Sequence, residues 1–139
     1  MMKTSKSILL VEDDKIDALT VRRALRDLKV TNRLDHETNG LEAINFLEGH
    51  RNNLPCIILL DLNMPKMNGL EFLEEIKKDE QFRKIPVVIL TTSGAEPDIS
   101  RSFSIGVVGY MVKPVDYKQF IEIIREIKLY WTLSEIPDL

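Results

Sequence analysis

The chain has 139 residues, of which 44% are hydrophobic and 29% charged, with a net charge of -3 and a single cysteine. That length suits one α/β domain burying roughly two thirds of its unfolded surface, and it leaves no room for a second catalytic or DNA-binding domain. The acidic balance excludes a broad nucleic-acid-binding surface, no stretch approaches the roughly 20 apolar residues that would span a bilayer, and Cys56 alone cannot form an internal disulfide, which fits a reducing cytoplasm.

The start of the chain, Met1 to Lys6, runs directly into Ser7 to Val11, an apolar stretch that Glu12, Asp13 and Asp14 cut off too early for a signal sequence. Ile8 to Val11, Cys56 to Leu60 and Val87 to Leu90 are short, rich in branched residues and not alternating, as in strands covered on both faces. Between the first two lie helical stripes, Ile16, Leu19, Ala24, Leu25 and Leu28, then Leu41, Ile44 and Leu47. Arg33 to Glu37 alternates like an edge strand. Leu70, Leu73 and Ile76 begin a third helix, and Ile99 and Phe103 mark a shorter one after Pro97. Val108 to Val112 completes the strands. The final helix, from about Asp116 to Trp131, has Asp116 as N-cap and turns Phe120, Ile121, Ile124 and Ile127 to the core. Five strands alternating with five helices predict a doubly wound parallel sheet.

In such sheets ligands bind beyond the carboxyl ends of the strands. The first strand ends in Glu12-Asp13-Asp14 and the third in Asp61, so adjacent strands bring several carboxylates together. Their mutual repulsion calls for a hard cation with oxygen ligands, and Mg²⁺ fits that description. The fourth strand ends in the hydroxyls of Thr91-Thr92-Ser93 and the fifth in Lys113-Pro114. A carboxylate nucleophile, a metal, a hydroxyl and an ammonium are the parts that phosphoryl transfer needs, because that chemistry rests on positioning and charge neutralisation.

Four segments in this order, Val11 to Asp14, Asp61 to Gly69, Thr91, and Tyr110 to Pro114, resemble the receiver domain of two-component response regulators over nearly the whole chain. The resemblance implies a flavodoxin-like fold with strand order 2-1-3-4-5 and a single receiver domain over residues 1–139, with an apolar tail at about 132–139. It implies that Asp61 accepts a phosphoryl group from a phosphohistidine of a sensor kinase or phosphotransfer protein. Asp13, Asp61 and the backbone carbonyl of Asn63 would hold Mg²⁺, and Glu12 would act through metal-bound water, with Asp14 left outside. Lys113 would pair with Asp61 and then with the phosphoryl oxygens, across a cis Lys113–Pro114 peptide. Thr91 would move onto the phosphate and let Tyr110 turn inward, which is the switch. Gly69 frees the backbone to turn into the third helix, and Pro65 stiffens the loop before it. Thr92 stands where the family often has a smaller residue and would narrow access to the site, while Asn63 and Ser93 hold positions that tune hydrolysis.

Cys56 to Met64 and the tail that carries Trp131 are also similar to the stand-alone receivers that partner bacteriophytochrome kinases, some of which are homodimers through the fourth helix, fifth strand and fifth helix. The terminal Leu129, Tyr130, Trp131, Leu133, Ile136 and Leu139 form either a packed tail or an interface. His36 and His50 have no partner at ligand spacing and read as solvated surface residues, and Cys56 reads as a small apolar core side chain. The competing functions are a phosphatase of the haloacid dehalogenase type and a receiver-like binding module that ignores phosphate. The first wants an aspartate two residues after the nucleophile, where this chain has Asn63.

Overall fold

The computed structural model describes residues 6–113 and 116–133, without the side chains of 130–133. Ten elements alternate along it: β1 (Ile8–Val11), α1 (Lys15–Asp27), β2 (Leu34–Glu37), α2 (Gly40–Glu48), β3 (Ile57–Leu60), α3 (Gly69–Lys77), β4 (Val87–Thr91), α4 (Glu96–Ile105), β5 (Gly109–Val112) and α5 (Tyr117–Leu133). All strand pairs are parallel, in the order β2-β1-β3-β4-β5 that the family resemblance implies. β1, β3 and β4 are buried throughout, which is why they read as unbroken apolar runs, whereas the edge strand β2 is only half-buried.

One face of the sheet carries the core packed by α2 and α3, with Leu9, Val11, Ile58, Leu60, Leu73 and Phe72 at its centre. On the other face α1 and α5 pack Val21, Ala24, Phe120, Ile124 and Ile127 against Ile8, Leu10, Ile57 and Leu59. Asp116 caps α5 as expected, its carboxylate accepting from the Lys118 amide at 3.0 Å.

Two helices bury only part of the stripes the sequence suggested: Ala24, Leu25 and Leu47 are buried, while Ile16, Leu19 and Leu41 are exposed. In α1 the buried residues are Ala18, Val21, Ala24 and Leu25, while Ile16 is 74% and Leu19 63% exposed. A residue two places away sits roughly 200° around a helix, so burying Ala18 turns Ile16 to solvent. In α2, likewise, Gly40, Ala43 and Leu47 face inward and Leu41 faces out.

Cys56 is fully buried, as expected, just before β3. His36 departs from expectation: it is half-buried in β2, and its Nε2 lies 2.6 Å from the Glu12 carbonyl. His50 is exposed but not simply solvated, since its ring stacks on Phe46 at 4.1 Å. The Lys113–Pro114 peptide and the tail from Ser134 onward, with the expectations attached to them, lie outside the described residues.

Candidate functional site

The site is assembled by sheet register. Val11 pairs with Leu60, so Glu12 and Asp61 leave neighbouring strands side by side, and the Asp61 amide donates to the Val11 carbonyl at 3.0 Å. Carboxylate oxygens of Glu12, Asp13 and Asp61 all come within 4.8 Å of one another. Glu12 and Asp61 are buried while Asp13 is open to solvent. Three oxygen-donor carboxylates at this spacing fit a hard divalent cation, which relieves their repulsion.

The loop after Asp61 returns tightly to start α3, where Asn68 and Glu71 form a reciprocal capping box. A Cβ on Gly69 would lie 2.4 Å from the Asp61 carbonyl oxygen and 2.7 Å from Leu62 Cα. Glycine is therefore needed here for close approach to the backbone of Asp61 itself, which is a stronger constraint than the turn the sequence suggested.

Lys113 follows β5 and is placed by the pairing of Thr91 with Val112 and by its own amide, which donates to the Thr91 carbonyl at 2.7 Å. The expected pairing with Asp61 is not its closest contact. Lys113 Nζ lies 2.5 Å from Glu12 Oε1, 2.8 Å from Asp17 Oδ2 and 3.6 Å from Asp61 Oδ2. Burial alone would lower its pKa, but hydrogen bonds to Asp17 and Glu12 outweigh that and hold the ammonium above its ordinary value. Burial pushes the Glu12 carboxyl up to about 8, against the opposing pull of Lys113, and the nearby Asp61 adds to the rise.

Both oxygens of Glu12 are engaged, Oε1 by Lys113 and Oε2 by the Asp14 amide at 3.2 Å. Asp13 is not so committed, and Asp14 caps α1 by accepting from the amides of Ile16 and Asp17. The third acidic residue of the run is thus used by the helix.

Thr91 is fully buried, and its hydroxyl accepts weakly from the Ser93 amide at 3.4 Å. The Ser93 carbonyl in turn accepts from the Tyr110 hydroxyl at 2.7 Å, and Ser93 Oγ donates to Asp98 on α4 at 2.6 Å. Ser93 therefore ties Thr91, Tyr110 and α4 together. Tyr110 lies half-buried against the core, and burial raises its pKa. Exposed Thr92 lines an open cavity of about 440 Å³ between α1 and α5, together with Ile16, Asp17, Arg23, Lys113 and Tyr117. Asn63 is exposed, and its amide faces Asp61 Oδ1 at 3.3 Å.

Asp17, Asp98 and His36 are site neighbours that sequence reasoning missed. The position of Asp17 one turn into the helix that follows the acidic run was the available signal. The other two meet the site only through tertiary packing.

Residues 8–125 match the response regulator receiver domain family. The chain belongs to that family. This receiver is 41% identical over 127 residues to the probable methanogenesis regulatory protein FilR2 of Methanothrix harundinacea, covering 89% of this chain and 82% of that one. It is 40% identical over 134 residues to response regulator Rcp1 of Synechocystis, covering 91% and 88%. Among solved structures it is similar to the phosphorylated cyanobacterial phytochrome response regulator RcpA, with a TM-score of 0.89, 36% identity and coverage of 96% and 99%. The manganese-bound form of Rcp1 gives a TM-score of 0.86 at 37% identity, with the same coverage. Membership places the receiver among signalling regulators rather than phosphatases. Among the described residues no helix is long and apolar enough to cross a membrane.

Proposed function

We propose that this receiver is a phosphorylation switch whose phosphoacceptor is Asp61. The observation that carries the reading is the juxtaposition of the buried Asp61 carboxylate with Glu12, Asp13 and the Lys113 ammonium at the carboxyl edge of the sheet. An Asp61 oxygen attacks the phosphorus of a phosphohistidine on a histidine kinase or phosphotransfer protein. The O–P bond forms as the N–P bond breaks, and the departing imidazole keeps the electron pair and takes a proton from solvent. Lys113 neutralises charge on the transferring group.

Asp13, Asp61 and the Asn63 carbonyl are the residues that would hold Mg²⁺, with Glu12 acting through water because both of its oxygens are already engaged. When bound, the cation supplies charge neutralisation at the phosphoryl oxygens. Support comes from the two similar structures, one of a phosphorylated receiver and the other of a manganese-bound one.

Readout passes from Thr91 through Ser93 to Tyr110 and α4, because one loop residue contacts all three. The listener is a protein, and a homodimer through α4, β5 and α5 would cover exposed Phe103, Val112 and Leu129. With acetyl phosphate and Mg²⁺ the receiver is expected to gain one phosphoryl group, and Asp61→Asn to gain none. Equal partner affinity with and without the phosphodonor would favour the phosphate-independent binding module instead.

A further inference from the structure

We infer that Asp17 is a positioning residue that acts through Lys113, fixing the direction in which the ammonium presents its remaining N–H. The inference rests on Asp61 being the phosphoacceptor. It concerns a residue outside the acidic run, on the first turn of α1, whose carboxylate points back across the mouth of the site.

An ammonium has three N–H donors held in a fixed tetrahedral arrangement, on a stem that otherwise rotates freely. Glu12 takes one donor at 2.5 Å and Asp17 takes a second at 2.8 Å. With two of three directions fixed, the third is fixed as well, and among the described residues the remaining carboxylate near Lys113 Nζ is that of Asp61, with Oδ2 at 3.6 Å. That separation exceeds hydrogen-bond distance. The lysine is therefore held short of the unmodified carboxylate, and a phosphoryl oxygen added to Asp61 comes within its reach.

Asp17 and Glu12 are unlike in this role. Glu12 is buried, fixed by the Asp14 amide, and sits in the carboxylate cluster itself. Asp17 keeps 39% of its side-chain exposure and faces the open cavity with Ile16, Thr20, Arg23 and Thr92. It is thus the one anchor of Lys113 that a molecule seated on α1 could touch. Removing its charge leaves a lysine tethered by a single carboxylate, free to turn about the Glu12 contact, and the donor aimed at Asp61 is lost for part of the time.

The test is the rate at which acetyl phosphate with Mg²⁺ labels the intact chain, measured for wild type, Asp17→Asn, Asp17→Glu, Lys113→Ala and the Asp17→Asn, Lys113→Ala double variant. Loss of one partly exposed charge-assisted hydrogen bond predicts labelling about five- to tenfold slower in Asp17→Asn, with an unchanged dependence on Mg²⁺ concentration and partial recovery in Asp17→Glu. In the Lys113→Ala background Asp17→Asn should change nothing further, which general damage to α1 would not reproduce. Labelling of Asp17→Asn at or above the wild-type rate overturns the inference, as does an equal slowing with and without Lys113. Failure of the wild type itself to be labelled would instead remove the phosphoacceptor reading.

Discussion

Lys113 Nζ lies 2.5 Å from Glu12 Oε1, and both side chains are almost wholly buried, at 7% and 2% exposure. A pair this dry depends on each member for the other's solvation, because a buried charge without its partner is far costlier than the pair. Lys113→Met is expected to lower unfolding stability by about 1–3 kcal/mol, because the buried carboxyls of Glu12 and Asp61 lose their shared donor and counter-charge. Adding Glu12→Gln should cost less than it does in the presence of Lys113, since the contact it would break is already gone, while buried Asp61 still lacks its counter-charge. Urea unfolding of the two single variants and the double variant checks this, and simple additivity of the losses would refute it.

At Gly69 the constraint is space. Gly69→Ala brings a methyl group against the Asp61 carbonyl oxygen and Leu62 Cα, both backbone atoms that cannot swing aside. The expected cost is about 1–3 kcal/mol, accompanied by slower phosphoryl labelling because the displaced backbone is that of Asp61. A variant that is both fully stable and fully labelled would show that the loop yields more easily than this packing implies.

The parallel strands and their polar carboxyl ends were legible in the sequence for a physical reason, whereas the strand order came from the family resemblance. Buried parallel strands such as Ile57–Leu60 leave unbroken apolar runs, and their polar ends mark where a ligand would sit. Helix rotation was only partly legible. Ile16 and Leu19 are apolar and fall at helical spacing, yet Ala18 and Val21 take the inward side, and spacing alone does not distinguish the two faces. The partner of Lys113 was also hidden. Choosing among Glu12, Asp17 and Asp61 depends on differences of about an ångström, set by how α1 and β5 pack around one ammonium. His36 was misread because its neighbour is a main-chain carbonyl, which leaves no trace in a search for side-chain ligands.

Cys56 should be inert in the folded protein. It is fully buried, and desolvation pushes its thiol up to about 11. A thiol reagent at pH 8 is expected to react only at the rate of global unfolding, and to react at once in denaturant. Rapid modification of native protein would mean that the region around β3 opens locally.

Far from the site, Asp79 joins the end of α3 to the loop after α2. Its carboxylate takes a bidentate bond from Arg51 and accepts from the amides of Phe82 and Gln81. Arg51 first, and those amides with it, hold its pKa well below the usual carboxylate range. A carboxyl depressed in the folded state contributes stability that is complete above the unfolded aspartate value of about 3.9 and is lost as pH falls toward the folded value. Asp79→Asn should therefore lower the denaturation midpoint at pH 7, and the gap from wild type should narrow below about pH 3.9. A gap that stays constant down to pH 3 would contradict the assignment of this stability to charge.

The most direct test of the switch is the intact mass of the protein after incubation with acetyl phosphate, with and without Mg²⁺, followed by peptide mapping. The expected result is one added phosphoryl group on Asp61, absent when the cation is chelated and absent in Asp61→Asn. Undiminished labelling of Asp61→Asn, or none of the wild type under any divalent cation, would contradict the account.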